Sequence, residues 1–329
     1  MWTLDDIQIF IITHNRAAYL PASVRSVLSQ TAGKPNLTIL DNDSTDNTTA
    51  VAASFAGEGV RYQRTSGFLG NFNKAKKLLN RPYCMLFHDD DLLHPQWLEM
   101  VLKALNQVPN VSLVTCSYQD FQDGQTPPFS PHPSARHFIF ETMPAWAEYM
   151  YMVEGISYAP AVYRSEDLLA ESLEYERFNK FNDWPLMCKM ARSGTVVFYP
   201  DTQYMLVRRH SGQDGATMNN FPSLQQMVNW DAFFFEAMGR PGLFHSLYWI
   251  SGLRMRHFLL GKYLNACPES YRQEHSLEEV KTLAKKAGLP VWGFPKKPFF
   301  RFLIHPLSSH RQRALLARCN NAWDCVSKE

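Results

Sequence analysis

Three consecutive aspartates, Asp89-Asp90-Asp91, follow the apolar run Tyr83-Cys84-Met85-Leu86-Phe87-His88 and lead into Leu92-Leu93-His94-Pro95. Carboxylates crowded at one point repel each other unless a hard cation or a cationic group holds them. Mg²⁺ is usually held by one or two carboxylates together with substrate phosphates, so a divalent metal carrying a diphosphate suits such a cluster. A solvated acidic turn is the plain alternative, and the triplet alone does not separate the two. An apolar run of this length reads as a buried strand, with Pro95 placed as the first residue of the next helix. If the strand continues, Asp89 and Asp91 lie two apart and share one face. Acid groups at the carboxyl end of a strand sit where open α/β sheets bind ligands.

The elements that must position them alternate along the first 120 residues. Ile7–Ile12, Leu37–Leu40, Val60–Gln63, Tyr83–His88 and Val111–Tyr118 read as strands. Between them, Leu20, Val24, Val27 and Leu28 mark one helical face, Asn47–Phe55 is a helix capped from Asp43-Ser44-Thr45-Asp46, and helices follow near Asn71–Leu79 and Pro95–Asn106. Such alternation argues for a doubly wound, mainly parallel sheet. Five prolines between Pro127 and Pro144 exclude a long regular element there, and a loop of that kind often serves as a lid or binding segment. Helices are expected near Ala145–Val153, Ser165–Leu173 and Trp184–Arg192, with a strand at Thr195–Tyr199. From about Pro222 onward the pattern is largely helical and aromatic.

In a parallel sheet the aspartates share their edge with two other strand tips, Thr13-His14-Asn15-Arg16 and Asp41-Asn42-Asp43-Ser44. That rim combines hydrogen-bonding groups suited to a base and ribose with carboxylates suited to a metal. A glycine-containing turn, Thr65-Ser66-Gly67 with Gly70-Asn71-Phe72-Asn73, adds to it. Neither a GxGxxG fingerprint nor a GxxxxGK[ST] loop occurs, which counts against dehydrogenases and P-loop NTPases.

At 45% hydrophobic and 19% charged residues, the 329-residue chain has the composition of a soluble globular protein with one or two domains. Its six cysteines form no CxxC pair, which favours free thiols in a reducing compartment. The first residues do not read as a secretory signal, and no uncharged apolar run approaches the ~20 residues of a membrane span. A cytoplasmic location is the expectation, with possible docking at the inner face of the membrane. From Arg240 onward, 15 Lys and Arg face 6 Asp and Glu, against 18 and 25 before it. The basic excess, with Lys296-Lys297-Pro298-Phe299-Phe300-Arg301-Phe302, suits an anionic phospholipid surface, although a solvated basic face explains the charge as well.

The runs Ile11-Ile12-Thr13-His14-Asn15-Arg16, Ile39-Leu40-Asp41-Asn42-Asp43-Ser44-Thr45-Asp46 and Phe87-His88-Asp89-Asp90-Asp91 together resemble the bacterial family 2 glycosyltransferases of the GT-A fold. The resemblance is strongest over about the first 120 residues. It continues through Asn182-Asp183-Trp184 and Arg208-Arg209-His210 to near residue 215. It implies a Rossmann-like, doubly wound mixed sheet over 1–215, with a nucleotide-binding half (1–120) and an acceptor-side half (121–215). A mainly helical extension, 216–329, follows.

By position, the resemblance implies that Thr13, Asn15 and Arg16 line the nucleotide pocket and that Asp41 hydrogen-bonds the base, most often uracil. Asp43 and Asn73 lie near the nucleotide and donor sugar. Asp89 faces ribose and sugar, and Asp91 binds Mn²⁺ or Mg²⁺, with Asp89 and His210 joining the metal site. Asp90 belongs to the same nucleotide-binding set, assisting from the backbone or pointing away. His14 stands where Tyr is more usual, a departure at the base-stacking position. Asp183 fits the catalytic carboxylate, and also reads as an N-cap ahead of Trp184-Pro185.

These residues imply inverting transfer from a nucleotide-diphospho-sugar, most often a UDP-sugar, to a hydroxyl of a glycan or lipid-linked acceptor, with no nucleic-acid partner. Trp146, Tyr149, Tyr151 and Trp184 are candidates for stacking on sugar rings, though aromatics so spaced are commonly core. Two other classes remain: a sugar-nucleotide nucleotidyltransferase, whose glycine-rich N-terminal loop is missing, and a non-catalytic GT-A-like scaffold, which lost carboxylates would signal.

Overall fold

The computed structural model describes residues 1–67, 69–125, 128–131, 133–152, 156–200, 204–212 and 224–239. The basic segment 296–302 lies outside them. The first half runs β1 (Ile7–Thr13), α1 (Leu20–Leu28), β2 (Asn36–Asn42), α2 (Thr48–Ala53), β3 (Arg61–Thr65), α3 (Gly70–Leu78) and β4 (Tyr83–His88). Then come β5 (Leu92–Leu93), α4 (Trp97–Gln107), β6 (Val111–Cys116), β7 (Gln119–Gln122) and β8 (Phe138–Phe140). The second half holds α5 (Met143–Met152), β9 (Val162–Arg164), α6 (Ser165–Ala170), α7 (Tyr175–Phe178), α8 (Asp183–Met190), β10 (Thr195–Tyr199), β11 (Met205–Arg209) and α9 (Leu224–Ala237).

Eight strands form the main sheet in the order β3-β2-β1-β4-β9-β6-β10-β8. The pairs β2–β3, β1–β2, β1–β4 and β6–β10 are parallel, while β9 and β8 run against their neighbours. The result is the mixed, doubly wound sheet expected. Buried β-branched and aromatic side chains explain the central strands: Ile7, Ile9, Phe10 and Ile11 of β1 and Cys84 to Phe87 of β4 are at most 1% exposed. A strand buried on both faces reads as a continuous apolar run, as these do. Helix α4 packs Trp97, Leu98, Val101, Ala104 and Leu105 inward, a spacing of one helical stripe.

Several local expectations differ. Pro95 does not begin α4, which starts at Trp97; β5 intervenes, because Leu92 and Leu93 pair antiparallel with Leu206 and Met205 of β11. With β7 on the other side of β11, they form a second, three-stranded sheet. The strand expected to reach Tyr118 ends at Cys116, and the helix expected to reach Leu173 ends at Ala170. Strands as short as β5, β8 and β9 carry too few residues to show a period of two.

The chain falls into two compact units that interleave in sequence. The first comprises Met1–Glu141, Gly155–Ser172 and Met190–His210 and contains both sheets; the second comprises Thr142–Glu154, Leu173–Lys189 and the residues from Ser211 onward. In the second unit the indole of Trp146 donates to the Met187 carbonyl at 3.1 Å, and Trp230 packs on Tyr151, Trp184 and Phe234. Trp146, Tyr149 and Tyr151 are at most 2% exposed, so these three candidates for sugar stacking are core. Cys84, Cys116 and Cys188 are free, buried thiols.

One close approach fixes the start of β10. A Cβ on Gly194 meets the Asn110 carbonyl at 2.4 Å and the Ser112 Cβ at 2.8 Å. Overpacking of this kind costs about 1–3 kcal/mol. Gly194→Ala is therefore expected to lower the free energy of unfolding by that amount, seen as a lower urea midpoint, and an unchanged midpoint contradicts the stated fit.

Candidate active site

The strand order places the site. Within β3-β2-β1-β4 the chain winds outward from β1 in one direction and then reverses to β4, so the β1 and β4 tips flank a topological switch point. Ligands bind open α/β sheets outside the strand carboxyl ends at that point. Register pairs Ile12 with His88 and Thr13 with Asp41, so the tips of β1, β2 and β4 end level.

The acidic triplet does not continue the strand. β4 ends at His88 and the chain bends through Asp89 and Asp90, so the shared strand face expected for Asp89 and Asp91 does not form. Side chains of α1 and the residues just beyond it satisfy the loop's backbone instead. The Ser23 hydroxyl donates to the Asp91 carbonyl (2.6 Å), the Ser26 hydroxyl accepts from the Leu93 amide (3.1 Å), and the Gln30 amide donates to the His94 carbonyl (2.8 Å). Gln30 also accepts from the Leu98 amide at 2.9 Å, and the Thr31 amide donates to Pro95 at 2.8 Å. From the other side the His94 amide donates to Tyr204, and the Arg208 amide donates to an Asp91 carboxylate oxygen at 3.0 Å.

So held, the loop brings ligand atoms of His88, Asp90 and Asp91 within 4.8 Å of one another. His210, expected as a metal ligand beside Asp89 and Asp91, instead sets its Nε2 3.0 Å from Asp90 Oδ2. Asp89 stands apart, with one oxygen 3.9 Å from Arg16 Nε and the other buried without a hydrogen-bond partner. Asp90, expected to assist from the backbone or to point away, brings its carboxylate into the cluster because the bend turns successive side chains differently from a pleat. Asp91 and Asp90 are thus grouped with His88, which the motif reading passed over.

Burial pushes the Asp89 carboxyl up to about 7, and the charge of Asp90 adds to the rise. Arg16, His88 and the Thr13 hydroxyl pull the other way, although Thr13 Oγ1 does not meet hydrogen-bond geometry. Burial likewise raises Asp91, against the pull of His88. For His88, desolvation lowers the value, but Asp91 and then Asp90 and Asp89 outweigh it and push it up to about 9. The ring keeps 40% of its surface exposed, so these charges act on a group that still meets solvent. Two buried carboxylates, an imidazole and an orphaned carboxylate oxygen nearby form a donor set that fits a divalent cation. Such a cation favours the charged form of the carboxylates, which burial disfavours.

The neighbouring tips are built from their own side chains. Asn15, at φ +53°, accepts from the Thr45 amide at 2.7 Å and donates its own amide to Ser44 Oγ at 2.8 Å. The Arg16 amide donates to Thr48 Oγ1 and that of Ala17 to Asp46. Asp41 was expected to meet a base. It is 0% exposed, and its oxygens accept from the Ser44 amide and hydroxyl and from Tyr62 OH at 2.7 Å. It pins the β2 tip, and the Asn42 beside it is half-exposed, its Oδ1 accepting from the Thr65 hydroxyl at 3.4 Å. Asp43 is exposed and paired with Arg64, at 2.8 Å from its Nε. Asn73 is exposed on α3, while Asn71 bridges the β1 and β3 tips through the Thr13 carbonyl (3.1 Å) and Thr65 hydroxyl (2.6 Å). Thr13 is buried on the rim, with its hydroxyl beside Asp89.

Asp183 belongs to the second unit. It is the first residue of α8 rather than its cap, is half-buried, and accepts the Trp184 amide at 3.0 Å.

A mixed sheet of this order with an acid loop at the switch point is the arrangement of the GT-A fold. Residues 8–157 match the model for Glycosyl transferase family 2. It is similar to S. aureus TarS residues 1–349, solved with UDP-GlcNAc, at a TM-score of 0.57 and 13% identity over 85% of this chain and 79% of that one. The mannosyltransferase PcManGT from Pyrobaculum calidifontis, solved with GDP-Man and Mn²⁺, superposes at a TM-score of 0.50 and 16% identity, covering 100% of this chain and 89% of that one. At such identities the likeness establishes the fold. An uncharacterized glycosyltransferase of Rickettsia typhi is 25% identical over 115 residues, 34% of this chain and 36% of that protein. The matched stretch spans about a third of the length of the curated relatives.

Among the described residues no helix is long and apolar enough to cross a membrane.

Gln30→Leu removes both the donor to His94 and the acceptor for Leu98. Each buried group left unpaired costs about 1–3 kcal/mol. Chemical denaturation is expected to show a loss of at least one such increment, and wild-type stability contradicts the clamp.

Proposed function

We propose that this chain transfers a sugar, with inversion, from a nucleotide-diphospho-sugar to an acceptor hydroxyl. The observation that carries the reading is the cluster of His88, Asp90 and Asp91 beside Asp89 at the switch point, within the segment that matches family 2. The donor diphosphate lies across this cluster, and the nucleoside lies along the β1 and β2 tips, where Thr13, Asn15, Arg16 and Asn42 border it. A UDP-sugar is the first choice of donor. Asp43 and Asn73, both exposed, face the sugar side of the same rim.

His88, Asp90 and Asp91 hold a divalent cation, and the imidazole among the donors favours Mn²⁺ over Mg²⁺. When bound, it supplies charge neutralisation for the departing diphosphate. Arg16 adds a fixed positive charge at Asp89. His210 orients Asp90 through its 3.0 Å contact. Asp183 takes the proton from the acceptor hydroxyl as that oxygen attacks the anomeric carbon from the face opposite the leaving group. A half-exposed carboxylate at the start of α8 supports this role, since a base must meet solvent and substrate. The acceptor is a hydroxyl of a glycan or lipid-linked chain, an assignment resting on the basic and aromatic segment 296–302.

A thermal-shift screen of nucleotide sugars with and without Mn²⁺ tests the donor. A ligand at a hundred times its Kd stabilises by about 2.7 kcal/mol, so the true donor raises the melting temperature in a Mn²⁺-dependent manner. No nucleotide-dependent shift overturns the reading in favour of a scaffold. Asp183→Asn is expected to cut turnover by about 10²–10⁴ while leaving donor binding intact. Asp91→Ala is expected to abolish Mn²⁺-dependent donor binding. Wild-type turnover in both variants refutes the assignment.

A further inference from the structure

Arg208 is a buried cation that touches the acid loop from below. Its side chain is 9% exposed and lies between two rings, with the guanidinium carbon 4.7 Å from the Phe121 centroid and 5.0 Å from that of Tyr19. Its amide donates to Asp91 Oδ1 at 3.0 Å, its Nε donates to the Asp90 carbonyl at 3.0 Å, and its Nη1 donates to Asp123 at 3.1 Å. Tyr19 closes the circuit. Its hydroxyl donates to the other Asp123 oxygen at 2.8 Å, and its ring lies 4.5 Å from that of His210, which contacts Asp90.

We propose that Arg208, locked by Tyr19 and Asp123, is the positioning residue for the metal-binding carboxylates of Asp90 and Asp91. The inference rests on the metal-site reading above and adds residues to it that touch neither cation nor substrate. The geometry requires arginine specifically. Nε and Nη1 point in fixed directions on one plane, so a single side chain reaches the Asp90 carbonyl and the Asp123 carboxylate together. A lysine ammonium is a point charge on a flexible stem and does not reproduce that fork. The aromatic sandwich holds the plane, and the Tyr19–Asp123 bond prevents the fork from rotating away. Groups that orient metal ligands from behind typically control metal affinity by about 10–100-fold. The Asp123 carboxyl is held below the usual range by Tyr19 first and Arg208 next, so it stays charged as the anchor.

The test compares wild type with Arg208→Lys, which keeps the charge, and Tyr19→Phe, which keeps the ring and removes only the bond to Asp123. Mn²⁺ affinity is measured by electron paramagnetic resonance with UDP present, alongside melting temperature and turnover as a function of Mn²⁺. Arg208→Lys is expected to weaken Mn²⁺ binding by about 10–100-fold. Tyr19→Phe weakens it less but in the same direction. In both, the KM for Mn²⁺ rises and most of the lost kcat returns at saturating Mn²⁺. A purely structural role lowers the melting temperature without moving the affinity of the folded protein. Folded variants with wild-type Mn²⁺ affinity overturn the proposal. A wild-type chain that binds no Mn²⁺ with UDP overturns the metal-site reading and this inference with it. Should Arg208→Lys fail to fold, Tyr19→Phe decides alone, since it deletes one surface-side hydroxyl.

Discussion

Everything at the candidate site depends on how the backbone of the acid loop is satisfied. Once β4 ends at His88, the sheet ladder supplies no partners but the short β5 pairing, yet residues 89–94 stay buried. Buried amides and carbonyls without partners are costly. Ser23, Ser26 and Gln30 meet that need from one side, and Tyr204 and Arg208 from the other. Polar residues at spacings of three and four fall on one helical face, so Ser23 and Ser26 of α1 form a row that Gln30 continues just past the helix end. The row spends one edge of α1 on hydrogen bonds, while Leu20, Val24 and Val27 still enter the core.

The same clamp explains the electrostatics. Three acid residues in a row normally spread into solvent; here they are at most 9% exposed. Burial raises Asp89 and Asp91, while the carboxylate charges outweigh burial at His88 and hold it above its ordinary value. The structure therefore stores unfavourable charge at one rim, a pattern common to functional sites. Arg208, in β11, and Arg16, just after β1, bring fixed positive charge to it.

The β1 and β2 tips show a related economy of partners. Asp41 looks like a ligand-binding aspartate by its place at a strand end, but burial and the donors Ser44 and Tyr62 turn it inward. Its neighbour Asn42 remains half-exposed. A sequence motif marks where a tip lies and not which of two adjacent side chains faces the crevice, because the left-handed residue Asp43 (φ +61°) turns the chain immediately afterwards.

The sequence by itself determined the alternation of strands and helices up to residue 116, apart from β5, together with the limits of β4 and β10, the mixed α/β class and the position of the acid loop. These are local consequences of apolar runs and helical stripes, which the chain carries without its partners. Tertiary structure decided the rest. The short strands β5, β8, β9 and β11 exist because neighbours pair with them, and interleaving of two units along the chain follows from packing rather than composition. The membership of the acid cluster was also a tertiary matter. A bend at Asp89 and Asp90, imposed by hydrogen bonds from α1 and β11, grouped His88 with Asp90 and Asp91 and left Asp89 beside Arg16. Contacts spanning more than a hundred residues, such as Arg208 to Asp91, have no periodicity in sequence and become visible only when the chain is folded.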